Sequence, residues 1–139
     1  MIFDASSIYS LVWDGRFDLL AGGYTLNLAF YEIGNALWKD VVIHGRLTLE
    51  EALEIMGLVA ETLGIMVVIP PGEAGDILRM AVKYRLSFYD AAYLEAAVRL
   101  NRPLITEDGK LARKASKIIE THTARELARG THGGASLKP

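Results

Sequence analysis

The sequence predicts an α/β fold in which helices cover both faces of a short parallel sheet. Short apolar segments alternate with longer segments of helical periodicity, which is the pattern of parallel strands joined by crossover helices. The chain has 139 residues, the length of one domain, and 51% of them are hydrophobic, enough for one core of ordinary size. We therefore expect a single three-layer α/β/α domain.

The first half of the chain supplies most of the predicted helical surface. Gly45 is a typical residue at a helix end, and Thr48 with Glu51 has the spacing of a capping box. The periodicity predicts a buried stripe on the helix that follows, made of Leu49, Leu53, Met56, Val59, Ala60 and Leu63. The predicted elements are a strand at 1–4, a helix at 6–12, a helical turn at 17–20, an extended segment at 24–27, helices at 28–44 and 48–64, and a strand at 65–70.

The second half repeats the alternation in shorter segments. Its predicted elements are helices at 73–84 and 87–101, a strand at 103–106, a helix at 109–116, a strand at 117–121 and a helix at 123–129. The last residues are rich in Gly and polar side chains, which favours a flexible tail. The expected organisation is one domain over 1–130 and a flexible C-terminal tail over 131–139.

Charge and composition limit the function classes. The formal net charge is −2, so no global basic excess indicates nucleic acid, although a local patch is compatible with it. Cysteine is absent, which excludes disulfides, thiolate metal sites and a cysteine nucleophile. The N-terminus lacks the basic and apolar regions of a signal peptide, and no apolar run is long enough for a membrane span. We expect a cytoplasmic protein with no membrane partner.

Four carboxylates stand out by their positions. Asp4 follows the first strand, Asp108 follows the strand at 103–106, and Asp90 lies in the first turn of its helix. Each of these aspartates has a simpler explanation as part of a helix N-cap or capping box. Glu32 lies about one turn into its helix among mostly apolar neighbours, too deep for a cap, although a solvated surface glutamate fits there as well.

The joint pattern of these carboxylates favours a metal site. The carboxyl ends of parallel strands and the helix starts that follow them meet at one edge of the sheet. Clustered carboxylates repel one another and stay ionised only when cations neutralise them. Hard divalent ions such as Mg²⁺ or Mn²⁺ prefer oxygen ligands of this kind, and Mg²⁺ is often completed by water and substrate phosphate.

Four segments in order carry a resemblance to a known family. They are FDASSIYSL near the start, then YEIGNALWK, LSFYDAAYLEAA and PLITEDGKLARKA. In order and in spacing the sequence resembles the PIN-domain ribonucleases, and within them the VapC toxins of type II toxin–antitoxin systems. The resemblance spans most of residues 1–120.

The resemblance assigns roles to particular residues. It implies that the acidic catalytic and metal-binding residues are Asp4, Glu32, Asp90 and Asp108. Ser6 and Thr106 match small hydroxyl residues that support the first and last acids, and we expect Asn35, three residues after Glu32, to support that glutamate. The family often has a basic residue directly after the last acid. Here Gly109 fills that place and Lys110 follows.

The resemblance also implies an activity and partners. It implies metal-dependent endonucleolytic hydrolysis of RNA with Mg²⁺ or Mn²⁺ as cofactor, leaving a 5′-phosphate and a 3′-hydroxyl. It further implies a homodimer, for which the apolar helices within 28–64 offer a surface, and inhibition by a small cognate antitoxin.

Three other functions are compatible with parts of the sequence. A PIN-type nuclease of RNA processing or decay carries the same motifs and is not a toxin. A haloacid dehalogenase-like phosphatase also begins with a strand ending in Asp, but it needs a second Asp two residues on, where Ser6 stands. A non-catalytic interaction module is disfavoured by the complete set of four acids.

Basic residues flank the proposed acidic positions in two clusters. For each of them alone, a solvated helix face is the simpler explanation, and contact with RNA phosphates is the functional one. The candidates are Arg79, Lys83, Arg85, Lys110, Arg113, Lys114 and Lys117.

Overall fold

The computed structural model describes residues 1–134 of the chain. Its strands are β1 (Ile2–Phe3), β2 (Tyr24–Leu26), β3 (Val67–Ile69), β4 (Leu104–Ile105) and β5 (Thr121–His122). Its helices are α1 (Ala5–Trp13), α2 (Phe17–Leu20), α3 (Leu28–Val42), α4 (Leu49–Ile65), α5 (Ala74–Tyr84), α6 (Phe88–Leu100), α7 (Gly109–Ala115) and α8 (Ala124–Gly134).

The five strands form one parallel sheet in the order β3-β2-β1-β4-β5. Ile2 of β1 lies opposite Tyr24 of β2 on one side and Leu104 of β4 on the other. The chain runs from β1 outward to β3 and then crosses to β4 on the far side of β1, so the winding reverses between β1 and β4. In open parallel sheets, ligands bind in the crevice at the carboxyl ends of the strands where the order reverses.

Each face of the sheet has its own apolar core, because successive side chains of a strand point to opposite faces. Ile2 and Leu104 belong to a cluster with side chains of α5, α6 and α7. Phe3 and Ile105 belong to a second cluster with side chains of α1, α3, α4 and α8. The predicted parallel sheet with helices on both faces is therefore confirmed as a three-layer α/β/α fold.

Two predicted elements differ from the structure in position. The strand predicted at 117–121 is wrong in its bounds, because turns follow α7 and β5 is Thr121–His122. Helix α8 continues to Gly134, beyond the predicted end at 129. The predicted flexible tail at 131–139 stays a prediction, because residues 135–139 lie outside the described part of the chain.

The predicted buried stripe of α4 is wrong at Leu49, Leu53 and Ala60, which are exposed. Leu49 is 59% exposed and Leu53 is 62% exposed, whereas Ala52, Val59 and Thr62 are buried. Helix α4 packs mainly against α3 and α1, and it buries a narrower face there than its apolar periodicity predicts. The capping box is confirmed: Thr48 Oγ1 accepts from the Glu51 backbone at 3.1 Å and Glu51 Oε1 accepts from the Thr48 backbone at 2.9 Å.

Within residues 1–134, no helix is both long enough and apolar enough to cross a membrane.

Candidate active site

One cleft of about 260 Å³ opens at the carboxyl ends of β1 and β4. It collects side chains from α1, α3, α6 and α7, which are far apart in the sequence. Its lining includes all four predicted acids, Asp4, Glu32, Asp90 and Asp108. Asp4 is buried at 4% exposure, Glu32 and Asp90 are partly buried, and Asp108 is exposed. The acids therefore line the cleft from its floor to its rim.

Asp4 holds the junction between β1 and α1. Its backbone N–H donates to the Ile105 carbonyl at 3.2 Å, which continues the pairing of β1 with β4. Its Oδ1 accepts from the Ser7 backbone at 2.9 Å and from the Ser6 hydroxyl at 2.8 Å. Asp4 is thus the N-cap of α1, as the simpler explanation predicted, and the same side chain faces the cleft.

Thr106 and Ser6 link the loop after β4 to the start of α1. The buried Thr106 hydroxyl donates to Asp4 Oδ2 and accepts from the Asp108 backbone N–H at 3.0 Å. The Ser6 hydroxyl lies 3.3 Å from the Thr106 hydroxyl and accepts from the Glu107 backbone at 2.9 Å. These bonds fix the loop after β4 against the start of α1, which places Asp108 beside Asp4.

The other two aspartates belong to helix starts. Asp108 Oδ1 accepts from the backbone N–H groups of Lys110 at 2.9 Å and Leu111 at 3.1 Å, so Asp108 is the N-cap of α7. Ser87 is the N-cap of α6, and its hydroxyl accepts from the Asp90 backbone at 3.0 Å. The start of each helix therefore provides both its N-cap and an aspartate that lines the cleft, because helix starts at this edge of the sheet face the cleft.

Glu32 reaches the cleft from α3 and is held there by α6. The Tyr93 hydroxyl donates to Glu32 Oε1 at 2.8 Å, and Tyr93 itself is 1% exposed. Tyr93 was not among the predicted site residues. The available signal was its position three residues after Asp90, which puts both side chains on one side of the helix.

Asn35 is placed differently from the other predicted supporting residues. It is exposed on α3 and lines a neighbouring groove together with Glu32, Lys39 and Tyr89. Within the described residues its side chain makes no hydrogen bond to Glu32. Its expected supporting role therefore stays a prediction without a contact to carry it.

Tyr9 is a further lining residue that the sequence analysis missed. It borders the cleft beside Asp4, and its hydroxyl donates to Asp40 Oδ2 at 2.8 Å. Burial, and then the hydrogen bond to Asp40, raises the pKa of Tyr9 to about 12. Tyr9 is therefore protonated at neutral pH and acts as a neutral hydrogen-bond donor.

The electrostatics of the cleft are those of crowded acids. Burial raises the pKa of Asp4, against the lowering effect of hydrogen bonds from Thr106 and Ser7. Burial also raises the pKa of Glu32, and the charges of Asp4 and Asp90 add to this effect. Burial and the charges of Asp108 and Asp4 raise the pKa of Asp90. In the described part of the chain, none of the four acids forms an ion pair.

The donor set suits a hard divalent cation held partly through water. Carboxylate oxygens that raise one another's pKa without a basic partner gain most from a bound cation. Within residues 1–134, however, no three acidic or histidine side chains come together closely enough to hold one ion. An ion here would take one or two carboxylates directly, which is the way Mg²⁺ commonly binds in proteins with water and phosphate completing its shell.

Comparison with known proteins gives a consistent set of relatives. Models of protein families give no match. Exonuclease VapC9 of Pyrobaculum aerophilum is 33% identical over 127 residues, which cover 88% of this chain and 90% of the relative. Ribonuclease VapC3 of the same organism is 33% identical over 97 residues, which cover 69% of this chain and 73% of the relative.

A solved structure supports the same assignment. The crystal structure of PAE2754 from Pyrobaculum aerophilum superposes with a TM-score of 0.77 at 26% identity, covering 91% of this chain and 90% of that one. Sequence identity over nearly the whole of a relative and agreement of the fold point the same way as the four sequence segments. This chain belongs to the VapC family and has its PIN-like fold.

Proposed function

We propose that this protein is a metal-dependent endoribonuclease and the toxin of a toxin–antitoxin pair. One observation carries the nuclease proposal: four carboxylates from four separate helices or their caps line one cleft without a basic partner in the described structure. Repulsion among these carboxylates destabilises the folded state, and the binding of a cation and a phosphodiester would offset that repulsion. The names of the relatives, a ribonuclease and an exonuclease, support hydrolysis of nucleic acid.

The residues of the cleft have distinct roles in this proposal. Asp4, Glu32, Asp90 and Asp108 would hold one or two Mg²⁺ or Mn²⁺ ions. When bound, such ions activate water and stabilise the negative charge that develops at phosphorus. Thr106 and Ser6 orient Asp4 by hydrogen bonds, and Thr106 fixes the backbone before Asp108. Tyr93 orients Glu32.

One relative is named an exonuclease, whereas we propose an endonuclease, and a circular substrate separates these two modes of cleavage. A circular single-stranded RNA has no ends, so an endonuclease converts it to linear products and an exonuclease leaves it intact. We expect the purified protein to linearise the circle in Mg²⁺ or Mn²⁺ and to leave 5′-phosphate ends. An intact circle beside a degraded linear RNA of the same sequence would establish the exonuclease as the correct alternative.

Two matched variants test the assignment of the acids. Asp4→Asn removes the charge at the floor of the cleft, and Asp76→Asn removes an exposed carboxylate of α5 outside it. We expect Asp4→Asn to abolish cleavage while circular dichroism shows a folded protein, and Asp76→Asn to cleave like the wild type. Undiminished cleavage by folded Asp4→Asn contradicts the proposal. Calorimetry with Mn²⁺ tests the inert-module alternative, because a protein without a cation site releases no binding heat.

The toxin role and the partners belong to the same proposal. We propose action on cytoplasmic RNA, inhibition by a small antitoxin and assembly as a homodimer. Exposed apolar side chains on α3 and α4 support protein contacts there, namely Trp38, Val42, Leu49 and Leu53. Growth arrest on expression, relieved by the product of a small adjacent reading frame, distinguishes the toxin from an RNA-processing nuclease. Light scattering of the purified protein measures its oligomeric state.

A further inference from the structure

Six basic residues form a continuous surface beside the acidic cleft. They are Lys83, Arg85, Lys110, Arg113, Lys114 and Lys117, here called the basic surface. All of them except the partly buried Lys114 are exposed. Four of them, with Tyr84 and Ile118, line a groove of about 290 Å³. A protein of net charge −2 thus concentrates positive charge on one side of its cleft.

Contacts hold the basic surface together across two elements. The Lys114 ammonium donates to the Arg85 carbonyl at 2.9 Å, which joins α7 to the end of α5. Lys110 lies one helical turn before Lys114 on α7, and Lys117 follows in the turn after the helix. Partial loss of hydration, and then the charges of Lys110, Arg85 and Arg113, lower the pKa of Lys114. The cations are therefore close enough to repel one another.

The positive charge of the basic surface is not neutralised by ion pairs with carboxylates of the described residues. Within residues 1–134 none of its members forms an ion pair, whereas Arg16, Arg46, Arg79 and Arg99 each pair with a carboxylate. Arg85 also occupies a left-handed backbone position, with φ of 54°, where glycine or asparagine is favoured. A polyanion is the ligand that would offset this charge.

The basic surface begins at the rim of the acidic cleft. The Lys110 backbone donates to Asp108 Oδ1 at 2.9 Å, so the first residue of α7 in the basic surface adjoins an acid of the cleft. Arg85 stands two residues before Ser87, the cap of the helix that carries Asp90. The cations thus lie next to the position that a phosphate would occupy at the carboxylates.

We infer that the basic surface binds the phosphate backbone of single-stranded RNA next to the bond that is cleaved. The choice of RNA as ligand rests on the proposed function. Phosphate contacts fix the position and register of the strand without reading its sequence. The same groups have a purely structural alternative, because cations near a helix C-terminus stabilise the helix dipole, and Lys83, Arg113 and Lys114 lie in last turns.

Binding of RNA without cleavage tests the inference. The probe is a fluorescent single-stranded RNA in chelator, and the double variant Lys114→Ala with Lys117→Ala is compared with the wild type by anisotropy at several salt concentrations. We expect affinity to fall about tenfold and the slope of log K against log salt to become shallower by about 1.4, since each phosphate contact on a single strand contributes about 0.7. Lys114→Arg with Lys117→Arg keeps both charges and should bind like the wild type.

A control pair removes the same number of charges elsewhere. Arg102→Ala with Arg129→Ala changes exposed arginines of the loop before β4 and of α8 and should leave the affinity and the salt slope unchanged. If the lysine double variant loses stability but binds RNA like the wild type, the helix-dipole explanation is correct and the inference is overturned. Absence of RNA binding by the wild type, or a loss confined to duplex DNA, overturns it as well.

The two proposals fail separately. If the wild type linearises circular RNA but the lysine double variant binds RNA with unchanged affinity, the proposed function stands and the RNA-binding role of the basic surface is overturned. If the wild type cleaves no RNA but the double variant binds RNA more weakly than the wild type, the nuclease proposal fails and the RNA-binding role of the basic surface stands.

Discussion

The Tyr93 hydroxyl on α6 donates a 2.8 Å hydrogen bond to Glu32 Oε1 on α3, 61 residues earlier in the chain. The bond crosses from a helix on one face of the sheet to a helix on the other, at the edge where the cleft opens. Burial, and then the charge of Glu32, raises the pKa of Tyr93 well above its ordinary value. The tyrosine is therefore a permanent donor that fixes the glutamate against the repulsion of the other acids.

Tyr93→Phe removes that donor and keeps the ring. We expect kcat for RNA cleavage to fall by about ten- to a hundredfold, because a hydrogen bond to a charged group contributes about 1.5 to 3 kcal/mol. KM for RNA should stay unchanged, since the buried tyrosine does not reach the substrate. Weaker Mn²⁺ binding by calorimetry should accompany the loss.

Tyr24→Phe is the matched control for Tyr93→Phe. Tyr24 lies on β2, away from the cleft, where its ring contacts the Arg102 guanidinium. The Tyr24→Phe variant should retain the wild-type kcat and the wild-type affinity for Mn²⁺. Equal losses in both variants, or an unchanged kcat in Tyr93→Phe, would remove Tyr93 from the site.

Glu32→Gln should stabilise the protein in metal-free buffer while it abolishes cleavage. The amide oxygen still accepts from Tyr93, and the variant no longer buries a charge near Asp4 and Asp90. We expect the free energy of unfolding to rise by about 1 kcal/mol at neutral pH, the usual size of gain when an active-site conflict is removed. Urea denaturation in EDTA measures it, with the exposed Glu61→Gln as control.

The pH dependence of this gain has a definite sign. The pKa of Glu32 is raised in the folded state, so the folded protein binds more protons than the unfolded chain between the ordinary pKa and the raised one. The wild type therefore regains stability as the pH falls through that window. The advantage of Glu32→Gln should be largest above the raised pKa and should shrink toward the ordinary value of 4.5. A constant difference across this range would contradict the account.

Thr106→Val should reveal the coupling between Thr106 and Asp4. The isosteric change removes the buried hydroxyl that donates to Asp4 Oδ2 and accepts from the Asp108 backbone. We expect a loss of about 1 to 3 kcal/mol in the free energy of unfolding, the cost of leaving buried polar groups without partners. In an Asp4→Asn background the loss should be smaller, and a double-mutant cycle in urea measures the difference.

Thr25→Val is the control for that cycle. The Thr25 hydroxyl is buried and donates to the Phe3 carbonyl at 2.8 Å, so it is matched to Thr106 in burial but does not contact an acid. Its cost should be the same in the wild type and in Asp4→Asn. If Thr106→Val shows no more coupling to Asp4→Asn than Thr25→Val does, the hydrogen bond from Thr106 to Asp4 does not contribute to the free energy of unfolding.

Gly23→Ala should strongly destabilise the fold. A Cβ at this position would lie 2.5 Å from Phe3 Cε2 and 3.1 Å from the Leu20 carbonyl, and the side chain of Phe3 on β1 is fully buried. We expect a loss of about 1 to 3 kcal/mol, the usual cost of overpacking. Gly57→Ala in α4 is the contrast, because its Cβ meets nothing within 4 Å and alanine is the better helix former. Thermal melts should shift in opposite directions.

The arrangement of the acids was predictable from the sequence because strand ends and helix caps leave clear local signals. Asp4 and Asp108 follow strand residues and begin helices, and the parallel sheet brings such positions to one edge. Tyr93 was missed because an apolar helix gives no signal that separates a packing tyrosine from one that donates to an acid. The donor relationship exists only once α3 and α6 are packed.

The burial of α4 was less predictable for a related reason. Periodicity identifies an apolar stripe but does not say whether the stripe faces the sheet or the solvent. Leu49 and Leu53 belong to the stripe and are exposed, while Ala52 makes the contact. Strand β5 was misplaced because the apolar pair Ile118 and Ile119 resembles a strand in sequence, yet it packs as part of the turn that follows α7.

The bonds of Thr106 also set the time at which the site can assemble during synthesis. Thr106 and Asp108 emerge about a hundred positions after Asp4, and β4 must pair beside β1 before its loop can contact the first helix. A nascent chain that ends before this strand lacks Asp108 and the Thr106 hydroxyl that donates to Asp4. The complete cleft can therefore form only after nearly the whole domain has been translated.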